Sequence, residues 1–113
     1  MPDSAKFCQT TFRETFSSEG RFAGQTIDDV ATALKSGKMS PKDVPFEIYV
    51  PEQGNALILN TRSAQALTRA GMPRSQWNAI VMNENGNAME RMLEQLVRNS
   101  LSFEGFANPV PLP

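Results

Sequence analysis

Apolar and polar residues alternate along positions 46 to 50, and a compact apolar run occupies positions 56 to 59. A period of two predicts a half-buried strand, and a short apolar run between polar turns is typical of a buried strand. The Gly54-Asn55 pair between them favours a turn, so the two strands are predicted to form a hairpin. Residues 78 to 82 predict a third strand.

Three other segments repeat their apolar residues at helical spacing. The first opens on Thr26 and Asp29, which are spaced as in a capping box, and stops at Gly37, which can take the left-handed cap conformation. The second begins near residues 60 to 63 and ends at Gly71. The third follows Asn87, and its predicted inner face consists of Met89, Met92, Leu93, Leu96 and Val97.

The order helix, hairpin, helix, strand, helix predicts a single small α+β domain, with a short sheet of about three strands packed by three helices. This domain is expected to span residues 26 to 101. Residues 1 to 25 carry spaced phenylalanines without a clear period and are predicted to be a partly ordered lead-in that docks a few aromatic side chains. A partly disordered tail or linker is the alternative. Residues 102 to 113 contain three prolines and are predicted to be an extended, proline-rich tail.

Composition restricts the chemistry that this domain can perform. The chain has 11 basic and 12 acidic residues and a net charge of −1, so binding to a polyanion would require a local basic patch. The absence of histidine excludes histidine-based nucleophilic, acid–base and metal sites. Cys8 is the single cysteine, which excludes an internal disulfide and a thiolate zinc cluster. Carboxylates do not cluster beyond Asp28 and Asp29 at a helix start, so we predict no metal and no cofactor.

Residues 60 to 63, with the sequence Asn-Thr-Arg-Ser, join the second predicted strand to the second helix. A helix start carries free N–H groups and a partial positive charge, and here the sequence adds an arginine and two hydroxyls. We therefore predict a phosphate site in which Asn60 binds substrate and Thr61, Arg62 and Ser63 are catalytic. In the alternative interpretation, Asn60 or Thr61 is an ordinary helix cap and Arg62 is a solvated surface residue.

A second polar cluster follows Gly71. Arg74 can bind a phosphate through two N–H groups, and Trp77 offers a face on which a base can stack. Ser75 and Gln76 lie between them and complete the predicted substrate contacts. A lone tryptophan is also a common core residue, which leaves a structural role open for Trp77.

Cleavage of RNA does not require histidine or metal, because a 2′-hydroxyl can attack the adjacent phosphate when arginine stabilises the charge. In this mechanism Arg62 and Arg74 bind the phosphate. One of three polar side chains, Thr61, Ser63 or Glu47, then aligns or deprotonates the hydroxyl.

Most of the chain resembles a family of bacterial toxin domains. The resemblance rests on the runs FSSEGRFAGQTIDDVATALKSGKMSPKDVPFEIYV, GNALILNTRSAQALTRAGMPRSQWN and MLEQLVRNSLSFEG. These are similar to the C-terminal toxin domains of polymorphic toxins, including haemagglutinin-repeat proteins of contact-dependent inhibition. The resemblance implies secretion or delivery as part of a larger toxin, action in the target-cell cytoplasm and a cognate immunity protein as partner.

The central stretch also resembles the ParB and sulfiredoxin-like fold, in which a strand, a turn and a strand lead into a phosphate-binding helix. Position by position, Asn60 falls at the motif glycine, Thr61 at the variable residue or cysteine, Arg62 at the first basic position and Ser63 at the second. Thr61 in place of cysteine excludes sulfinic-acid reductase chemistry. Ser63 in place of a basic residue removes one charge that would hold a nucleotide triphosphate.

Together with the toxin resemblance, the sequence predicts a toxin effector domain that acts on nucleic acid. The preferred activity is metal-independent cleavage of RNA. Because no apolar run is long enough to cross a bilayer, we expect a soluble protein without membrane insertion. The alternative is a non-catalytic, ParB-like module that binds a phosphate, a nucleotide or another protein. The near-neutral charge and the missing histidine favour this alternative, and the sequence does not indicate an oligomeric state.

Overall fold

The structure, a computed structural model, describes residues 5–18, 20–50, 56–82, 87–101 and 105–112. Its helices are α1 (Ile27–Ser36), α2 (Thr61–Arg69) and α3 (Asn87–Arg98). Its strands are β1 (Lys6–Phe7), β2 (Thr11–Phe12), β3 (Phe46–Tyr49), β4 (Leu57–Ile58), β5 (Ala79–Val81) and β6 (Val110–Pro111). Single 3₁₀ turns lie at Pro41–Asp43 and Arg74–Gln76.

The sheet has the order β1-β4-β3-β5, and it contains the three predicted strands. Strands β3 and β4 pair antiparallel, with Ile48 opposite Ile58, as expected for a hairpin. The turn predicted at Gly54-Asn55 lies outside the described residues. Strand β5 runs parallel to β3, and β1 adds a fourth strand parallel to β4. The prediction of a single small α+β domain is confirmed.

Helices cover both faces of this sheet because successive residues of a strand point to opposite sides. In β4, Ile58 packs into the cluster formed with α1 and α2, whereas the neighbouring Leu57 packs into the cluster formed with α3. The α3 cluster also contains Leu59 and Met92. The small sheet is therefore the middle layer, and the segment that leaves β4 passes between helices from both sides.

Helix α1 forms as its end signals predict. The Thr26 N–H donates to Asp29 Oδ2 at 2.9 Å, and the Asp29 N–H donates to Thr26 Oγ1 at 3.1 Å. This reciprocal pair satisfies two backbone donors at the helix start. At the other end Gly37 has φ 82°, the left-handed conformation that ends a helix at low cost in glycine.

The predicted inner face of α3 is wrong in part. Met92 and Leu96 are fully buried or nearly so, but Leu93 and Val97 are 39% and 79% exposed. The side chain of Met89 lies outside the described part of the helix. Met92 and Leu96 pack in one cluster with Leu57 of the sheet, and among the described residues the 93/97 side of α3 is not part of this cluster.

Both chain ends pack against the predicted domain. Phe7, Phe12 and Phe22 of the lead-in are buried, and β1 and β2 both belong to it. In the tail, Phe106 forms a bridge to Phe7, and β6 pairs with β2 in parallel. The boundaries drawn at residues 26 and 101 stay a prediction, while the lead-in supplies two strands and core side chains. No helix among the described residues is long and apolar enough to cross a bilayer.

Candidate functional site

A pocket of about 390 Å³ opens where β4 ends and α2 begins. It is lined by residues 60 to 63 at the start of α2 and by Arg91 and Gln95 of α3. Residues of the lead-in segment complete the lining. The three-layer arrangement explains why these parts meet, since the connection from β4 to α2 leaves the sheet between the two helical layers. The predicted phosphate site therefore lies in a concavity built from three separate parts of the chain.

Asn60 occupies the N-cap position of α2, but its side chain does not cap the helix. Its Oδ1 accepts a hydrogen bond from the Glu47 N–H of β3 at 2.8 Å. The first helical bond of α2 runs from the Ala64 N–H to the Asn60 carbonyl. Within the described chain, nothing accepts from the N–H groups of residues 61 to 63, so the helix start keeps its donors for a ligand.

The two hydroxyls of this turn are buried. Thr61 is 2% exposed and Ser63 is 9% exposed, and both line the pocket. Among the described residues, Thr61 Oγ1 and Gln95 Oε1 are buried without a hydrogen-bond partner. A buried hydroxyl or amide oxygen without a partner costs about 1–3 kcal/mol, which makes such pairs of groups uncommon in a folded protein. Both atoms belong to residues that line the same pocket.

Arg62 lines this pocket and also anchors the lead-in. Its Nη1 donates to the Thr15 carbonyl oxygen at 2.7 Å, and its guanidinium carbon lies 6.0 Å from the centre of the Phe16 ring. Burial lowers the pKa of Arg62, and the nearby positive charge of Arg13 lowers it further. The guanidinium is thus partly removed from water and repelled by its neighbour, a state that a bound anion would relieve.

Glu47 does not line the pocket and is connected to it only through Arg91. The Arg91 Nη2 atom lies 2.8 Å from Glu47 Oε1 in an ion pair whose side chains are 54% and 32% exposed. Arg91 in turn lines the pocket, so this pair places a guanidinium at the site with a carboxylate behind it. Sequence reasoning selected Glu47 but missed Arg91.

The second predicted cluster does not join this pocket. Arg74 donates through Nη1 to the Ala5 carbonyl oxygen at 3.2 Å, and its guanidinium carbon lies 5.3 Å from the Trp77 ring centre. Trp77 is buried, packs edge-on against Phe46 and donates its Nε1–H to the Met72 carbonyl at 2.9 Å. Its environment is that of a core residue. Ser75 and Gln76 are exposed and, like Arg74 and Trp77, do not line the pocket.

A second pocket, of about 360 Å³, adjoins the first and shares Gln9 and Arg62 with it. Its lining also includes Arg13, Arg98 and Asn99. The side chain of Asn99 is fixed by its bonds, accepting from the Thr10 N–H at 3.2 Å and donating to the Gln95 carbonyl at 2.8 Å. No acidic residue lines either pocket within the described chain.

Some pocket residues that sequence reasoning missed could have been found from their helical spacing. Arg91, Gln95 and Arg98 recur on α3 at i, i+4 and i+7, which places them on one side of the helix. That polar stripe lies next to the buried stripe of Met92 and Leu96. The lead-in contributions of Arg13 and Arg21 have no comparable periodic signal.

Two other chemistries find no support in this structure. Cys8 is fully buried, and burial raises the pKa of its thiol from 9.0 to about 12, so it remains protonated and unreactive at neutral pH. Within the described ranges, no three cysteine, aspartate or glutamate side chains lie close enough together to bind a metal ion.

Comparison of the chain with protein-family models, with curated proteins and with solved structures finds no match.

Proposed function

We propose that this chain is a toxin effector domain that cleaves RNA without a metal ion and is neutralised by a cognate immunity protein. The observation that carries the catalytic part is the pocket at the start of α2. It combines three arginines, free backbone donors and the unpartnered Thr61 hydroxyl with a lining free of acidic side chains within the described chain. The toxin class, delivery by a larger protein and the immunity partner are supported by the resemblance of the three sequence runs.

The charge of the pocket favours a phosphate over other ligands. Arg62 and Arg91 approach from opposite helical layers, and Arg21 is contributed by the lead-in. Guanidinium groups and helix N–H groups are the donors that proteins most often direct at phosphate oxygens. A local site of this kind is what a protein of net charge −1 needs in order to bind a polyanion.

In the proposed reaction the 2′-oxygen of the substrate forms a bond to the adjacent phosphorus, and the bond from phosphorus to the 5′-oxygen breaks. Arg62, the Thr61 hydroxyl and the α2 N–H groups stabilise the charge on the non-bridging oxygens. The 2′-hydroxyl proton passes to water, and the departing 5′-oxygen takes a proton from water, while Glu47 outside the pocket lining holds Arg91 in place. The products are a 2′,3′-cyclic phosphate and a 5′-hydroxyl end.

Incubating the purified protein with total RNA and with plasmid DNA, with and without EDTA, tests this reaction. We expect RNA to be cleaved equally in the presence of EDTA, with 5′-hydroxyl ends, and DNA to stay intact because it lacks the attacking 2′-oxygen. Intact RNA under all conditions would remove the proposal. Cleavage that EDTA abolishes would replace it with a metal-dependent mechanism.

Arg62→Ala and Arg74→Ala form a matched pair for this assay. Each arginine donates to a backbone carbonyl of the N-terminal segment, Thr15 or Ala5, so each variant loses a similar tether. Only Arg62 lines the pocket. We expect Arg62→Ala to lose cleavage by about a hundredfold and to relieve growth arrest in cells without the partner, while Arg74→Ala keeps both activities.

A second candidate is a non-catalytic module that binds phosphate or a nucleotide. Two observations favour it: Arg62 Nη1 already donates a hydrogen bond to the Thr15 carbonyl at 2.7 Å, and the side chains of Thr61 and Ser63 are buried. Such a module would bind RNA or a nucleotide in the same pocket, leave RNA intact and be tolerated by growing cells.

A further inference from the structure

The two pockets meet along one side of α3. Arg91 lines the first and Arg98 lines the second, and the two residues are seven positions apart on the same helix. Seven residues correspond to about two turns and about 10 Å along the helix axis. Gln95 lies between them, and Arg62 of α2 lines both pockets from across the gap. The concavity is therefore elongated along α3.

Five of the seven arginines of the chain line this elongated concavity. Arg91 pairs with Glu47, but Arg13, Arg21 and Arg98 form no hydrogen bond or ion pair with any other described side chain. Arg69 shows the contrasting arrangement, since its guanidinium pairs with both Glu14 and Asp28 at 2.6 and 3.0 Å. Within the described residues, Arg13, Arg21 and Arg98 therefore lack the paired carboxylates that neutralise Arg69.

Burial lowers the pKa of the Arg62 guanidinium, and the positive charge of the nearby Arg13 lowers it further. Such repulsion is unfavourable in the free protein and is offset when an anion lies between the two groups. Because Arg13 lines the second pocket and not the first, this anion would occupy a position distinct from the one beside Thr61.

We propose that the two pockets form one arginine groove, defined by Arg91, Arg62, Arg13 and Arg98, which binds at least two successive phosphates of a single-stranded polynucleotide. This inference rests on the proposed function for the first pocket and adds its substrate class, a chain of nucleotides and not a mononucleotide. Basic grooves that follow the backbone are the usual way of binding single strands.

Fluorescence anisotropy with 2′-O-methyl oligonucleotides, which cannot be cleaved through the 2′-oxygen, tests the groove. A dinucleotide carries one bridging phosphate, and an oligonucleotide of about eight nucleotides can follow the whole concavity. We expect the longer ligand to bind at least about tenfold more tightly to the wild-type protein. Arg98→Gln removes that advantage and leaves the affinity for the dinucleotide unchanged.

Lys35→Gln is the charge-matched control, because Lys35 is exposed on α1 and lines neither pocket. It should leave both affinities unchanged. Salt dependence gives a second measurement: each phosphate contact contributes about 0.7 to the slope of log K against log salt concentration, and Arg98→Gln should lower the slope for the longer ligand by about that amount.

The outcomes separate the groove from the site on which it rests. Equal affinity for the two ligands, or a loss in Arg98→Gln that is the same for both, overturns the groove and leaves the phosphate site of the first pocket in place. Failure of the wild-type protein to bind either ligand overturns the proposed function and the groove together.

Discussion

Replacing Thr61 with valine should make the protein more stable and less active. Valine has nearly the shape of threonine and removes the one hydroxyl that lies 98% buried at the start of α2 without a partner among the described residues. A core residue selected for stability would show the opposite response. A hydroxyl kept for a ligand predicts a gain in stability at the expense of function.

The magnitude follows from the cost of burying an unpaired hydroxyl. That cost is about 1–3 kcal/mol, and helix propensities of threonine and valine are nearly equal. Allowing for partial relief of the burial cost, we expect the free energy of unfolding to rise by about 1 kcal/mol, which corresponds to about 4 °C in Tm for a domain of this size. Loss of one donor to a developing negative charge should slow cleavage by about a hundredfold.

Urea unfolding followed by circular dichroism measures the stability change, and an unchanged m-value shows that the folded and unfolded states are comparable. Thr68→Val is the matched control on the same helix. The Thr68 hydroxyl is satisfied by donating to the Ala64 carbonyl at 2.9 Å, so its removal should leave stability within about 0.5 kcal/mol and activity unchanged.

The reasoning would be refuted by a Thr61→Val protein that is less stable than the wild type, because the hydroxyl would then be stabilising the fold. It would also be refuted by a variant that gains stability and retains full cleavage, since the unpaired hydroxyl would then have no ligand to serve.

Three further predictions test the fold. Gly105→Ala should destabilise by about 3 kcal/mol in urea unfolding, because φ is +73° there and a Cβ would lie 2.7 Å from a Leu57 side-chain carbon; a neutral variant would mean that the tail does not dock as described. The Cys8 thiol should react with Ellman's reagent only after unfolding. Because its pKa is raised from 9.0 to about 12, stability should fall as pH rises through this window, and less steeply in Cys8→Ala. Leu96→Ala should cost about 2–5 kcal/mol and Val97→Gln less than about 0.5, and similar losses would contradict the observed face of α3.

The fold could be predicted where local signals determine it. The Thr26 and Asp29 capping pair and Gly37 act within a few residues, so α1 begins and ends where the sequence indicates. The pairing of β1 with β4 could not be predicted, because it joins residues about fifty positions apart and two-residue strands leave no periodic signal. The buried face of α3 depends on which side packs against Leu57 of the sheet, which no residue of α3 specifies.

The candidate site likewise contains residues that local sequence predicts and residues that only tertiary packing brings to it. Residues 60 to 63 were recognisable because a helix start after a strand is a local feature with known donors. Arg91 and Gln95 reach the same pocket only because α3 packs on the opposite face of the sheet from α2. Arg74 resembled Arg62 in its local sequence, and tertiary packing alone directs it to the Ala5 carbonyl.

The most direct test of the account is an NMR titration of the protein with a 3′-nucleoside monophosphate. The account predicts that the backbone amides of Thr61, Arg62 and Ser63 shift most, because these residues line the pocket and their N–H groups have no acceptor in the described chain. Unchanged amides at these positions, or shifts confined to Arg74–Gln76, would contradict it.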